Sequence, residues 1–340
     1  MRARALVVPR SNGEAVRRRL REAGLLRSDL EILAEDDRIA FPLVTAEGAP
    51  GEMGEISERE FREVEPAAPE DYRDLLPGTA REKERLPRSF DVVGDIVLVR
   101  LPEDLVERGP EIGEALLRFV PGARIVGADH GVHGRERRRR IERLAGSGGW
   151  RTRHRENHVE LEVDLERAYF SPRLAREHAR VAAEVRPGET VYDLCCGVGP
   201  FSVLIGADGR ARRVVAVDAN PDAIGLLRAT VERYGLGGRI EALEMDVVQF
   251  VADRPPAERV VLNLPHEGIK YLPSVARAVA RSGRLHFYEV VPRAEREQRA
   301  EAVVGTLVGG AAWSVVEWHL VHPYSPSSDL LAMTLARGPE

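Results

Sequence analysis

Asp193, Asp218 and Asp246 each stand where an apolar, strand-like run gives way to a turn, and Asn263 ends a fourth such run. Between the first two lies "DLCCGVGPFS" (193–202). Its Gly197 and Gly199 follow a strand and precede a helix that opens at Pro200, with Phe201 in its first turn. Glycine lets backbone approach a ligand closely, and the helix start offers unpaired N–H groups. Asp218 lies 21 residues beyond Gly197, where a carboxylate can accept from both hydroxyls of a ribose. These features alone suit a dinucleotide, a phosphate, S-adenosylmethionine, or a tight turn with no ligand.

Three features favour S-adenosylmethionine. Asp193 precedes the glycines, where it can approach the ammonium of a methionine moiety, and dinucleotide sites need no acid there. Ser202 replaces the third glycine, so close helix packing beneath a pyrophosphate is not provided for. Asp246, in "EMDV", can accept from an adenine amino group. The next strand ends in "NLP", Asn263–Leu264–Pro265. An amide followed by a rigid turn can pair with the edge of a planar base, although the same residues also make an ordinary proline-closed turn.

The elements that must position these residues follow from periodicity. From about residue 165 strands alternate with helices: "TVYDLCC", "RRVVAVD", "IEALEMD", "RVVLNLP" and "RLHFYEVV" read as strands of a doubly wound, mostly parallel sheet. "NPDAIGLLRATVERYG" is a helix capped by Asn220 with Pro221 at its first position. "AAWSVVEWHL" and "DLLAMTLA" form a closing antiparallel pair. Upstream, "ALVV" (5–8) and "GEAVRRRLREAG", with Val16 and Leu20 on one face, make a small α/β unit. Residues 45–88, rich in Glu, Pro and Gly, read as a linker. "SFDVVGDIVLVRLP" and "PEIGEALLRFV" begin a second unit. The expected divisions are 1–65, a linker over 66–88, 89–164 and 165–340.

Composition narrows the classes. Of 340 residues only Cys195 and Cys196 are cysteine, and adjacent cysteines make neither a disulfide framework nor a good zinc site, so no metal is expected. No stretch has the length of apolar residues that spans a bilayer, and "MRARALVVPR" reads without the apolar region of a signal peptide; a cytoplasmic protein with no membrane partner is expected. Nine arginines and two glutamates between Gly131 and Arg155 leave a local +7, so the remainder carries −12 of the net −5. A charge run is usually a solvated helix face, yet one basic patch on an acidic protein suits a polyanion such as RNA.

"YFSPRLAREHARV", "DLCCGVGPFS", "VVAVDANPDAIGLL", "VVLNLPHEGIKYL" and "GRLHFYEVV" together resemble the archaeal and eukaryal tRNA (guanine(37)-N(1))-methyltransferases. "ALVVPRSNGEAVRRRLREAGLL" and "SFDVVGDIVLVRLP" are similar to that family's two accessory domains. Cys195–Cys196 departs from it, since an aromatic and a small residue are usual there. The resemblance implies a class I S-adenosylmethionine-dependent methyltransferase, a Rossmann-like α/β sheet with two small N-terminal α/β domains. It implies methyl transfer to N1 of guanosine 37 of tRNA, contacts to the anticodon stem-loop and the wider tRNA body, and a monomer. Neutral guanine carries a proton on N1, so the reaction needs a base and a cation beside the exocyclic oxygen.

The family match makes Glu177 the base, Arg137 (or Arg139, within "RERRRR") the cation, Asn263 the group fixing the base edge, and Tyr169 and Pro265 neighbours of the target. From the residues alone, Glu177 is evenly placed between two readings. On the edge of the Leu174–Val181–Val185 stripe it is a desolvated acid of raised pKa; paired with Arg173 or Arg180 it is an ion-pair partner. Three alternatives remain: a wyosine-pathway enzyme acting at the same nucleotide, opposed by the "NLP" turn; an NAD-dependent dehydrogenase, opposed by Asp193 and the missing glycine; and a non-catalytic tRNA-binding protein.

Overall fold

The computed structural model describes residues 1–64, 69–134, 138–307 and 312–339, and the chain divides into two units, Met1–Glu70 and Asp71–Glu340. In the first, β1 (Arg2–Pro9) is followed by α1 (Gly13–Glu22), β2 (Leu33–Glu35), β3 (Arg38–Pro42) and β4 (Glu55–Glu60). The strands form an antiparallel sheet in the order β2-β3-β1-β4. Val16 and Leu20 of α1 pack on Leu6, Val8 and Phe41, as the periodicity predicts. β4 lies in the stretch read as linker, yet it pairs with β1 from Arg2↔Glu60 to Val7↔Glu55. Its sequence, EISERE, hides a strand because an edge strand this exposed needs little apolar character.

The second unit begins earlier than residue 89. Tyr72, Leu76 and Leu86 are buried with Val97, Val99, Ile112 and Leu116, and the Tyr72 hydroxyl donates to the Pro87 carbonyl at 2.6 Å. Residues 71–88, including the short helix α2 (Ala80–Lys83), therefore belong to this core. Three apolar anchors suffice to fasten a segment whose average composition reads as linker.

β5 (Phe90–Val93), β6 (Ile96–Val99), α3 (Gly109–Phe119), β7 (Ile125–His133) and β8 (Arg138–Gly146) follow, the strands in sequential order, with Ile112 and Leu116 of α3 in the core beside them. "FDVVGDIVLV" is a hairpin rather than one strand, turning at Gly94 with φ +57°. The described part of the arginine run is also extended: it forms β8 and then β9 (Arg151–Glu156), which pairs with β10 (Val159–Asp164). Val159, Leu161 and Val163 of that hairpin share one core with Val181, Phe201 and Leu227, and so do Ile96 and Leu98 of β6. No break in packing falls at 164/165, because the hairpin covers apolar surface on the helices that follow it.

β11 (Thr190–Leu194), β12 (Arg213–Asp218), β13 (Ile240–Glu244), β14 (Ala257–Leu262), β15 (Val279–Pro292), β16 (Trp313–Pro323) and β17 (Ser328–Arg337) form the seven-stranded sheet, ordered β13-β12-β11-β14-β15-β17-β16. The first five are parallel, and β17 and β16 close it antiparallel, as expected. The order reverses between β11 and β14, the switch point at which open α/β sheets bind ligands. Four helices matter to the site: α4 (Ala175–Glu184), α5 (Pro200–Asp208), α6 (Pro221–Arg233) and α7 (Val247–Ala252).

Candidate active site

A cavity of about 970 Å³ opens at the carboxyl ends of β11–β14 and is walled on another side by residues of the β5–β8 sheet. The turn after β11 forms its floor. Gly197 and Gly199 have φ of +55° and +77°, and a Cβ on Gly199 would stand 2.4 Å from Leu227 Cδ1 of α6, so no other residue fits there. Cys195 shares the left-handed region at φ +61° without being glycine, and its side chain reaches the cavity. Cys196 is buried, which pushes its thiol well above the ordinary value.

Asp218 ends β12 and lines the cavity. Its Oδ2 accepts the Gly197 N–H at 2.8 Å and its Oδ1 the Asn220 N–H at 2.9 Å. One carboxylate thus fixes the glycine turn and the start of α6 while lining the cavity. Asn220 caps α6 by accepting from the Asp222 N–H, as the sequence predicts. Asp246 caps α7, accepting from the Val248 N–H at 2.8 Å, and lines the cavity beside Val247. Asn263 and Pro265 line it too, and Asn263 Oδ1 is buried with no partner among the described residues.

Arg139 enters from β8. It is buried, ion-paired to Asp129, donates from Nη2 to the Phe170 carbonyl at 3.0 Å, and lies 5.5 Å from the Tyr169 ring centroid. Tyr169 and Arg139 both line the cavity. Arg137 lies outside the described residues.

Asp193, Gly199, Phe201 and Glu177 are not in the cavity wall. Asp193 is fully buried inside β11; its Oδ2 accepts from the Ser202 N–H and hydroxyl, its Oδ1 has no partner among the described residues, and burial pushes its carboxyl up to about 6. Phe201 packs edge-on against His178 at 4.5 Å and against Tyr288, a core position. The expected rise of the Glu177 pKa does not occur. Burial acts to raise it, but hydrogen bonds and charge from Arg180 and His319 prevail and hold the carboxyl below its ordinary value. Arg180 Nη2 stands at 3.0 Å, His319 Nε2 at 2.6 Å and the Tyr288 hydroxyl at 3.1 Å. The ion-pair reading of Glu177 is the one this geometry realises.

One residue on stands His178, which no sequence motif singled out. It lines the cavity, is buried, and holds Glu156 of β9 at 2.5 Å through Nδ1. The adjacency of two titratable residues in "REHARV" was the available signal; the partner, 22 residues upstream, was not.

Residues 152–307 match the profile of the TRM5/TYW2 methyltransferase domain, 72–149 that of the TYW2 N-terminal domain and 5–48 that of the tRNA methyltransferase 5 N-terminal domain. The tRNA (guanine(37)-N(1))-methyltransferase Trm5b of Pyrococcus abyssi is 31% identical over 300 residues, 86% of this chain and 85% of that protein. The chain belongs to the TRM5/TYW2 methyltransferase family. Trm5b of Methanocaldococcus jannaschii is 28% identical over 96% of this chain and 97% of its own. The crystal structure of the P. abyssi protein superposes with a TM-score of 0.74 at 28% identity, covering 99% of both chains. A complex of aTrm5 with tRNALeu does so at 0.73 and 27%, covering 98% of this chain and 99% of that one. The family's fold, a class I methyltransferase sheet with N-terminal accessory domains, is the fold of this chain. Among the described residues no helix is long and apolar enough to cross a membrane.

Proposed function

We propose that the protein methylates N1 of the guanosine 3′ to the anticodon, position 37, of tRNA, with S-adenosylmethionine as donor. The observation that carries this is the convergence of Asp218, Asp246, Asn263 and Arg139 on one cavity from two different sheets. The relatives named above are tRNA (guanine(37)-N(1))-methyltransferases, and one family structure holds tRNA.

The residues fit the cofactor. A glycine turn that admits no side chain at Gly199, two acids at successive strand ends and the apolar Val247 match a ribose, an amino group and a purine face. Asp218 would hold the ribose hydroxyls, Asp246 the adenine amino group, and Gly197 would let the chain pass close by. When bound, S-adenosylmethionine supplies an electrophilic methyl group. Asn263, whose Oδ1 meets no partner among the described residues, accepts from the guanine edge and fixes its rotation, with Pro265 and Tyr169 shaping the slot. Arg139, held by Asp129 and the Phe170 carbonyl, keeps Nε unpartnered among the described residues and supplies positive charge for the exocyclic oxygen as the N1 proton passes to solvent water. Glu177 holds α4 against β15 and β16; to take the N1 proton it would have to exchange Arg180, His319 and Tyr288 for the substrate.

The exposed arginines of β8 and β9 are read as phosphate contacts to the anticodon stem-loop and the tRNA body, and the enzyme as a cytoplasmic monomer. The test is incubation with tRNA and methyl-labelled S-adenosylmethionine, then nuclease digestion and position mapping. Label in 1-methylguanosine at position 37 is expected. Label on a tricyclic base, or transfer of the aminocarboxypropyl group instead, would establish the wyosine-pathway reading.

A further inference from the structure

The cavity is shared between two sheets, so what it can do depends on how closely they stay in register. Asp218, Asp246 and Asn263 stand at the carboxyl edge of the seven-stranded sheet, and Arg139 stands on β8 of the other. Asp129 of β7 holds Arg139 only to its own sheet. Register between the walls rests on contacts that cross, and Asp222 of α6 receives two of them. Its Oδ2 accepts from Arg138 Nη2 at 3.2 Å and its Oδ1 from Arg167 Nη1 at 3.3 Å. Arg138 precedes Arg139, and Arg167 lies two residues before Tyr169. Behind the carboxylate the contacts run on to Asp218. The Asp222 N–H donates to Asn220 Oδ1, the Asn220 N–H donates to Asp218 Oδ1, and Asn220 Nδ2 donates to the Arg167 carbonyl at 2.8 Å. The circuit closes where Arg139 reaches the Phe170 carbonyl and lies near the Tyr169 ring.

Stability does not explain this arrangement. The Arg138 and Arg167 side chains are 51% and 64% exposed and that of Asp222 28%, and ion pairs so exposed contribute little to folding. An acid in the first turn of a helix is favourable in itself, without arginines from two other segments. What the two bridges fix is place. We propose that Asp222 is a positioning residue for methyl transfer: by clasping Arg138 and Arg167 it sets Arg139 and Tyr169 against the edge that carries Asp218, Asp246 and Asn263. This rests on the reading of the cavity as the site of methyl transfer to guanine. Asp222 does not itself line the cavity, so it acts only through the residues it holds. A misplacement of about 1 Å can cost roughly a hundredfold in rate.

The test is single-turnover methylation at saturating tRNA and S-adenosylmethionine, where a lost phosphate contact no longer shows. It compares the unmodified chain with Asp222→Ala, Arg138→Ala, the double variant and Asp222→Glu. Asp222→Ala is expected to slow the chemical step about tenfold to a hundredfold. Its affinity for S-adenosylhomocysteine, by calorimetry, should stay within about twofold and its thermal midpoint within about 4 °C of the unmodified chain. Retained affinity also shows that the variant is folded. Arg138→Ala should lose less, because Arg167 keeps its bridge. The double variant should be slower than Asp222→Ala by no more than about twofold, since both changes break one contact. Asp222→Glu, which keeps the charge within reach of both guanidinium groups, should recover most of the rate. A native rate in Asp222→Ala beside an active unmodified chain overturns the proposal alone. So does a fall in cofactor affinity that matches the fall in rate, or single losses that multiply in the double variant. An unmodified chain that methylates no tRNA overturns the functional reading and the proposal with it.

Discussion

Replacing Glu177 by Gln separates a structural anion from a catalytic base. The carboxylate receives Arg180 and Tyr288 on Oε2 and His319 on Oε1. Glutamine keeps one acceptor and turns an NH₂ toward the other side, so whichever way the amide lies, one set of donors faces a donor. A buried hydrogen bond to a charged group contributes about 1.5–3 kcal/mol. Arg180 retains Glu184 and Glu317, so the larger penalty of a wholly stranded buried charge is not reached. The variant should therefore lose about 1.5–3 kcal/mol, roughly 3–12 °C in thermal midpoint. Because the folded carboxyl lies below its ordinary value, this contribution is complete above about pH 4.3, the unfolded value, and is lost as pH falls through the folded one. Thermal unfolding of both proteins at pH 7 and in acid measures it. Single-turnover methylation at saturating tRNA and cofactor should fall less than about tenfold and keep its pH profile. A variant of native stability whose rate drops about a hundredfold or more and loses the rising limb with pH would refute this reasoning and make Glu177 the base.

Arg139→Ala should slow the chemical step by roughly 100- to 1,000-fold, the range for one donor aimed at developing charge; a native single-turnover rate would remove Arg139 from the reaction. Lysine should not restore it, since the planar fork spans Asp129 and the Phe170 carbonyl. Asp218→Ala, which strands the Gly197 and Asn220 N–H groups, should weaken S-adenosylhomocysteine about tenfold to a hundredfold in calorimetry; unchanged affinity would place the ribose elsewhere. Asp193→Asn should stabilise the protein at pH 8. Its folded carboxyl is raised to about 6, so the stability present below the unfolded value is lost as pH rises through 6, on the order of 3 kcal/mol, and the amide avoids that loss; a pH-independent midpoint difference between the two proteins would count against it. Reversing Arg140 and Arg155 to Glu should lower the slope of log affinity for tRNA against log salt by roughly one for each phosphate no longer neutralised; an unchanged slope would make these arginines bystanders.

Much of this was legible because the signals were local. Strand ends, the glycine turn, the Asn220 cap and the Val16–Leu20 face all rest on neighbours within a few residues. What was not legible depended on partners far along the chain. Glu177 reads as an acid on an apolar edge until His319, 142 residues on, and Tyr288, 111 on, close around it. The arginine run reads only as a basic patch for a polyanion, because composition does not record that Arg139 alternates inward toward Asp129. Tyr72, Leu76 and Leu86 vanish into an average over Pro and Glu, although three side chains decide whether that segment is linker or core. Asp193 occupies the expected strand end but lies one layer beneath the cavity wall, and periodicity does not report that depth.

The shared wall of the cavity has a consequence for synthesis. Arg139 and Asp129 are made early, the glycine turn about sixty residues later, and Leu330, which also lines the cavity, belongs to the strand that pairs with β15 near the end of the chain. A ribosome translating this message releases the β5–β8 sheet well before the strand that completes the pocket. No truncated product ending before β17 contains the whole cavity, and none starting after β8 carries its buried arginine. The whole cavity therefore exists only in chains that carry both β8 and β17.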